Sequence, residues 1–410
     1  MKSTAERTVR ELLETVGVQV GGNRPWDIQV HDPRFYGRVL AGGSLYLGEA
    51  YMDGAWDVER IDQFCERLFE GQLEERAKQS LRTIMLAIWW RIMNPQARRR
   101  AFKIGKQHYD LGNDLFERML DPRMVYSCGY WAEASTLAKA QEAKLDLICR
   151  KLQLEPGMRL LDIGCGWGSL LQYAAERYGI EGVGVTVSEQ QATAAEERCK
   201  GLPVRIELSD YRDLTGEFDR IASVGMVEHV GHKNYPTFMR TAYRCIKPGG
   251  LFLLHTIGNN RSVSSGDPWI EKYIFPNSML PSLAQLAEAA ESRFFVEDLH
   301  SFGPYYDNTL MAWDYNFREH WPEIADRYGE RFYRMWRFFL NSCAAAFRTR
   351  RIQLWQILLA RAPRPRPLAV PRTTRPAAAA HRGAASAQVS PAQAAPAQAA
   401  EAPQGSKDST

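Results

Sequence analysis

Seven cysteines are spread over 410 residues with no CxxC pair, which excludes a disulfide-stapled fold and a cysteine-based zinc site. The count predicts a reducing, cytoplasmic setting. The opening MKSTAERTVRELLETVG lacks the apolar centre of a secretory signal. No run is long enough to span a bilayer either. The most membrane-like stretch, IMLAIWW at 84–90, falls far short of the ~20 residues required. An excess of one charge is also missing from the body of the chain. The tail from Arg361 holds seven Lys/Arg against two Asp/Glu, leaving 45 basic and 46 acidic residues elsewhere. The formal charge of +4 therefore belongs to the tail, and the balanced body argues against a nucleic-acid partner. Glu228, His229 and His232 lie close in sequence, but no further ligands follow at zinc spacing, so no metal is predicted.

What is present begins with LDIGCGWGSL at 161–170. Leu160, Leu161 and Ile163 make an apolar strand run, with Asp162 set among them. Gly164, Gly166 and Gly168 then form a turn where no Cβ blocks a ligand from the backbone. A helical pattern from Ser169 to Tyr178 follows, and Gly179 stops it as a C-terminal cap. Strand, glycine turn and helix N-terminus together suit a nucleotide-like cofactor. The spacing is GxGxG, and the acid two residues ahead of the first glycine suits a positive amino or sulfonium group better than a pyrophosphate. S-adenosylmethionine (SAM) meets all three conditions; an ordinary tight turn between strand and helix is the plain alternative.

Four more strand patterns follow, at 182–188, 203–210, 218–230 and 249–257, with helical spacing between them. The prediction is a Rossmann-like α/β fold whose parallel sheet holds ligands at its carboxyl edge. Thr186, Ser188, Gln190 and Gln191 at the second strand end offer hydrogen bonds to a ribose. Asp210 and Tyr211 at the third offer an edge and a face to adenine.

Composition divides the chain. Residues 1–95 open with an amphipathic helix (Val9, Leu12, Leu13, Val16). Short strand-like pieces with GG and DG turns follow at 27–58, predicting a smaller α+β unit for lipid binding or docking. Residues 96–360 form the catalytic domain, and 361–410 is a Pro/Ala-rich basic tail without aromatics, predicted to be disordered. Between the first two, Arg82 and Arg91 flank the IMLAIWW run, and Arg98, Arg99, Arg100, Lys103 and Lys106 follow without an acid. Such a segment suits an interfacial helix on anionic lipid. A core helix with a solvated basic face is the competing reading. Arg331, Arg334 and Arg337, spaced by three, are candidates to extend the basic face.

The remaining motifs are scattered: YSCGYW (126–131), GMVEHVG (225–231), LLHTIG (253–258), DPWIEKYIFPN (267–277), YDNTLMAW (306–313) and a late cysteine before AFRTRRIQLWQ. Taken singly, Cys128 or Cys343 reads as a small buried hydrophobe, His255 as a core histidine and Glu228 as a capping acid. Glu228 and His255 nevertheless both fall at strand ends on the cofactor side. Together with LDIGCGWG and DYRD, these motifs resemble the cyclopropane-fatty-acyl-phospholipid synthase family over roughly residues 1–360. Mycolic-acid methyltransferases share the catalytic part and form the alternative.

The resemblance implies transfer of the SAM methyl to a cis double bond of a phospholipid acyl chain, then proton loss and ring closure. It places Tyr126 and Ser127 with the cofactor. It also implies a bound bicarbonate as base, held by Cys128, Glu228, His255, Ile257 and Tyr306, with Cys128 and Ile257 acting through backbone groups and Glu228 orienting His255 or bridged to the ion. Cys343 matches a further family cysteine. A carbocation is best stabilised by aromatic faces, at ~2 kcal/mol or more each when desolvated. Tyr126, Tyr130, Trp131, Trp269, Tyr273, Phe275, Tyr305 and Tyr306 are candidates. Exposing an acyl chain of ~16 carbons to water would cost ~13 kcal/mol, so the chain must pass directly from bilayer to pocket. A phospholipid bilayer is therefore an expected partner, met from the inner face of the membrane, and the family implies a homodimer.

Overall fold

The computed structural model describes residues 3–73, 112–363 and 370–372. The docking segment read at 84–106 and most of the tail fall outside these residues. The first helix, α1 (Thr4–Glu14), starts where the Ser3 hydroxyl accepts from the Glu6 N–H at 3.0 Å, and it buries Val9 and Leu13. Two-residue strands β1 (Gln29–Val30) and β2 (Trp56–Asp57) pair antiparallel. Between them lies a correction: the run read as short strands with a GG turn is one long helix, α2 (Arg34–Met52). Gly43, at φ 54°, kinks that helix where a hairpin turn was expected. Phe35, Tyr36, Leu40, Ala50 and Tyr51 are buried along it, so packing overrides the two glycines. Helix α3 (Ile61–Glu70) completes this segment.

Helices α4 (Asn113–Met119) and α5 (Leu137–Lys151) lead into β3 (Arg159–Ile163). The chain then alternates through α6 (Ser169–Tyr178), β4 (Glu181–Thr186), α7 (Glu189–Arg198), β5 (Val204–Leu208), β6 (Phe218–Val224), α8 (Tyr235–Cys245) and β7 (Ile246–Asn259). The order β5-β4-β3-β6-β7 is parallel throughout, as the alternating pattern predicts. After α9 (Pro268–Tyr273) and α10 (Leu283–Ala290) come β8 (Phe295–Ser301), α11 (Pro304–His320), α12 (Glu330–Arg348) and β9 (Ile352–Ala360). β9 inserts antiparallel between β7 and β8, making a seven-stranded sheet.

One apolar cluster runs from Ala5 in α1 through Trp56, Trp269, Trp313 and Trp336 to Leu354 in β9. The three arginines read as candidates to extend the basic face each pair with an acid. Arg334 bonds Asp57 at 2.6 Å and sits over the Tyr51 ring, Arg337 pairs with Asp314 at 3.1 Å, and Arg331 reaches Asp53 at 3.2 Å. Spacing by three puts them on one face of α12, but that face meets the acids of the first segment and α11.

Candidate active site

The glycine turn has the backbone its sequence requires: Gly164, Gly166 and Gly168 take φ of 87°, 54° and 80°. A Cβ on Gly164 would meet Met226 at 2.6 Å, whereas one on Gly166 would point into open space. That space belongs to a cavity of ≈ 490 Å³ at the carboxyl edge of the sheet. Tyr126, Ser127, Asp162, Gly164, Gly166, Thr186, Gln191 and Tyr211 all line it. Thr186 and Gln191 bond each other at 2.9 Å, fixing both side chains at the start of α7. Asp210 does not join them. Arg212 holds its carboxylate in two bonds of 2.8 and 2.7 Å, keeping it below the ordinary carboxylate range. Asp210 also caps the turn at 211–213, its side chain accepting the Arg212 N–H at 2.9 Å.

Asp162 is almost wholly buried, and its Oδ1 has no partner among the described residues. Burial pushes this carboxyl up to about 7, while Lys144 pulls the other way. Lys144 was missed in the sequence. It lies on α5 among charged neighbours and reads as surface, yet it is buried, lines the cavity and bonds the Ser127 hydroxyl at 2.8 Å.

A second set of polar atoms is buried without partners among the described residues: the Tyr126 hydroxyl, Glu228 Oε2, His255 Nε2 and Gln356 Oε1. Glu228 Oε1 accepts the Ile257 N–H at 2.8 Å, so that backbone donor is committed to Glu228 and is not free for a ligand. Nor does Glu228 orient His255. The side chain that does so is Gln356, opposite it on β9, with Nε2 3.3 Å from His255 Nδ1. Burial raises Glu228 to about 7 and drives His255 far below its ordinary range, helped by Lys144 and Lys151. Tyr306 is also buried, and burial together with Cys128, Tyr126, Glu228 and Cys343 holds its hydroxyl strongly protonated. The Cys128 thiol contacts the Gly129 carbonyl at 3.2 Å, and burial holds Cys343 protonated, up to about 12.

Aromatic rings wall this region, though not all those expected. Tyr126 packs 5.1 Å from both Phe116 and Trp313, and Tyr306 stacks on Phe347 at 4.6 Å. Trp269 instead packs on Phe338, and the Tyr273 hydroxyl bonds Glu49, so both belong to the core joining α9 to α2 and α12. Phe116 lies in none of the quoted motifs, while Trp313 and Phe347 lie inside YDNTLMAW and AFRTRRIQLWQ without being singled out as rings of this wall.

The family model described as mycolic acid cyclopropane synthetase matches residues 96–357. The chain belongs to this family. It is 54% identical over 355 residues to the cyclopropane-fatty-acyl-phospholipid synthase of Escherichia coli K12, covering 87% of this chain and 93% of that protein. A probable fatty acid methyltransferase of Pseudomonas putida is 35% identical over 81% of the chain and 86% of its own length. Among solved structures, the mycolic acid cyclopropane synthase CmaA1 in complex with SAH and CTAB is 34% identical, with a TM-score of 0.58. The match covers 63% of this chain and 98% of that one. The catalytic fold of the family is that of a SAM-dependent methyltransferase.

Proposed function

We propose that this chain is a SAM-dependent cyclopropane synthase that converts cis double bonds of unsaturated phospholipid acyl chains into cyclopropane rings. The observation that carries the reading is the cavity at the carboxyl edge of the sheet, lined by Tyr126, Asp162 and the glycine turn, in a chain that also buries Glu228 Oε2 and His255 Nε2 without partners. Bound SAM supplies a methyl group on an electrophilic sulfonium. Gly164 and Gly166 let it approach the backbone, and the Asp162 carboxyl offers charge to its cationic end. An alkene is a weak nucleophile, so alignment and proximity must contribute much of the acceleration. The rings of Tyr126, Phe116, Trp313 and Tyr306 present faces to positive charge developing on the acyl chain.

The orphaned atoms fit a small oxyanion such as bicarbonate, which would supply the base. With Gln356 Nε2 donating to His255 Nδ1, the ring proton sits on the unpartnered Nε2, a donor left over for an anion. Glu228, near neutrality and partly protonated, offers a second donor and spares the ion full repulsion. Cys128 and Cys343 stay as thiols and pack the wall. We also propose that the enzyme works as a homodimer at the cytoplasmic face of the membrane, with the first segment and residues 84–106 meeting lipid.

Lipid mass spectrometry of cells with and without the protein tests the reading. Ring formation adds one CH2 per double bond and consumes the unsaturation, so catalytic hydrogenation leaves the mass unchanged. Methylated products that still take up hydrogen would instead support the second reading, a fatty-acyl methyltransferase, which the Pseudomonas putida relative favours.

A further inference from the structure

We propose that Arg372 is a positioning residue for the ring-forming step: through it the tail returns to the catalytic domain and braces the aromatic wall behind His255. The role rests on the oxyanion reading of His255. It goes beyond that reading by giving a task to a residue past the family match, which ends at residue 357. Asp298 on β8 and Lys151 at the end of α5 form an ion pair 3.3 Å apart, with side chains 2% and 0% exposed. Lys151 Nζ also lies 3.1 Å from His300 Nδ1, and because an ammonium only donates, that ring nitrogen accepts. Lys151 engages Asp298 Oδ2. The other oxygen, Oδ1, is met by Arg372, with Nε at 3.0 Å and Nη2 reaching it as well. A buried carboxylate oxygen left without a donor is costly. The Arg372 side chain is 61% exposed, so it caps the pair from the solvent side.

The same residue takes a second group. The buried Tyr130 hydroxyl donates to the Arg372 carbonyl at 2.7 Å, and Val370 packs on the apolar cluster around α5 and β3. Tyr130 belongs to YSCGYW, two residues beyond Cys128, and its ring meets Phe302 edge-on at 5.4 Å. Phe302 in turn meets the His255 ring at 5.8 Å. His300, tied to Lys151, touches both Tyr130 and Phe302, at 5.9 and 5.0 Å. Asp298 and Tyr130 stand on separate elements, the edge strand β8 and the loop before α5. One arginine therefore fixes their spacing, and with it the seat of the Phe302 ring against His255. His255 is read as handling a proton donor, and misplacing such a group by ~1 Å can cost up to ~100-fold.

Turnover of the full-length protein on vesicles of unsaturated phospholipid, with SAM and bicarbonate varied separately, tests the role. Arg372→Gln is expected to lower kcat by roughly 3- to 30-fold, a partial misplacement on that scale. It should also raise the bicarbonate concentration that gives half-maximal rate, with the KM for SAM unchanged. Arg372→Lys should recover part of the loss. Tyr130→Phe keeps the ring and frees the carbonyl, so it should show a smaller change of the same kind, and it gives the result if Arg372→Gln does not fold. The two changes break one connection, so the double variant should be no slower than Arg372→Gln. Arg375→Gln, at the next arginine of the tail, should turn over as the wild type does. Loss shared equally by kcat, SAM affinity and the thermal midpoint would show a structural role and overturn the proposal. A wild type indifferent to bicarbonate would overturn the oxyanion reading and the positioning role with it. A wild type that depends on bicarbonate, with the same kcat and the same dependence in Arg372→Gln, would overturn the positioning role alone.

Discussion

Gln356 on β9 faces His255 on β7 across the antiparallel ladder, with its amide nitrogen 3.3 Å from Nδ1. The pair converts a sheet register into a choice of tautomer. With Nδ1 accepting, the proton sits on Nε2, where it can meet an anion. Gln356→Leu removes the donor without changing the fold of a buried strand. Turnover should drop by about 10-fold or more, as for lost positioning of a proton-handling group, with SAM affinity unchanged. Equal turnover in steady-state assays would remove Gln356 from the site.

Gly166 takes φ 54° with nothing within 4 Å of where a Cβ would stand. Gly166→Val therefore places its side chain in the cavity and not in the protein's own packing. The left-handed backbone adds strain of about 1–2 kcal/mol, small enough for the fold to persist. SAM binding by calorimetry should vanish while the circular dichroism spectrum is retained. Wild-type affinity would remove the glycine turn from the cofactor site.

Much of this was legible locally. The five parallel strands and the glycine turn announce themselves through apolar runs, periodicity and Gly punctuation, which need no tertiary information. The misses share a cause. IQLWQILLA follows a long helix as an apolar run with polar Gln353 and Gln356 three apart, so nothing local marks it as an inserted antiparallel strand. Lys144 sits in AKAQEAKLD, a stretch that reads as a solvated helix face until packing buries it. Gly42 and Gly43 read as a turn because a helix through two adjacent glycines is stable only when its neighbours bury it.

The 84–106 segment carries a prediction from its sequence alone. If it lies on lipid, replacing Arg98, Arg99 and Arg100 by Glu should weaken binding to anionic vesicles. The wild type should show a similar loss as salt rises toward molar, where the screening length shrinks to about 3 Å. Sedimentation with equal binding for both proteins would favour a core helix.

Asp162 makes cofactor binding pH-dependent. Its carboxyl titrates at about 7 when only the protein surrounds it, raised by burial. A cationic ligand beside it favours the carboxylate and lowers that value, so binding releases a proton. Affinity should accordingly rise as pH increases toward about 7 and level off above it. Calorimetry in buffers of different ionisation enthalpy measures the released proton directly. Asp162→Asn should bind weakly and release none. Proton uptake, or affinity that falls between pH 6 and 7, would contradict the assignment.

The proton-removal site gives the sharpest test, because Glu228, His255 and Tyr306 come from three separate motifs. Glu228→Ala or His255→Ala should lower turnover by about 100-fold or more while changing SAM affinity little, the pattern of an interaction made in the transition state. Tyr306→Phe should be milder, because it keeps the ring stacked on Phe347 and loses only the hydroxyl. Depleting bicarbonate should slow the wild type, and adding it back should restore the wild type but not the Glu228 and His255 variants. Glu228→Gln distinguishes the acid's two roles. It preserves a donor and acceptor without charge, so partial activity with retained bicarbonate dependence would mean that Glu228 serves in its protonated form, as its burial suggests. If activity is indifferent to bicarbonate and Glu228→Ala turns over normally, the oxyanion site fails, while the sheet and the SAM cavity stand unaffected.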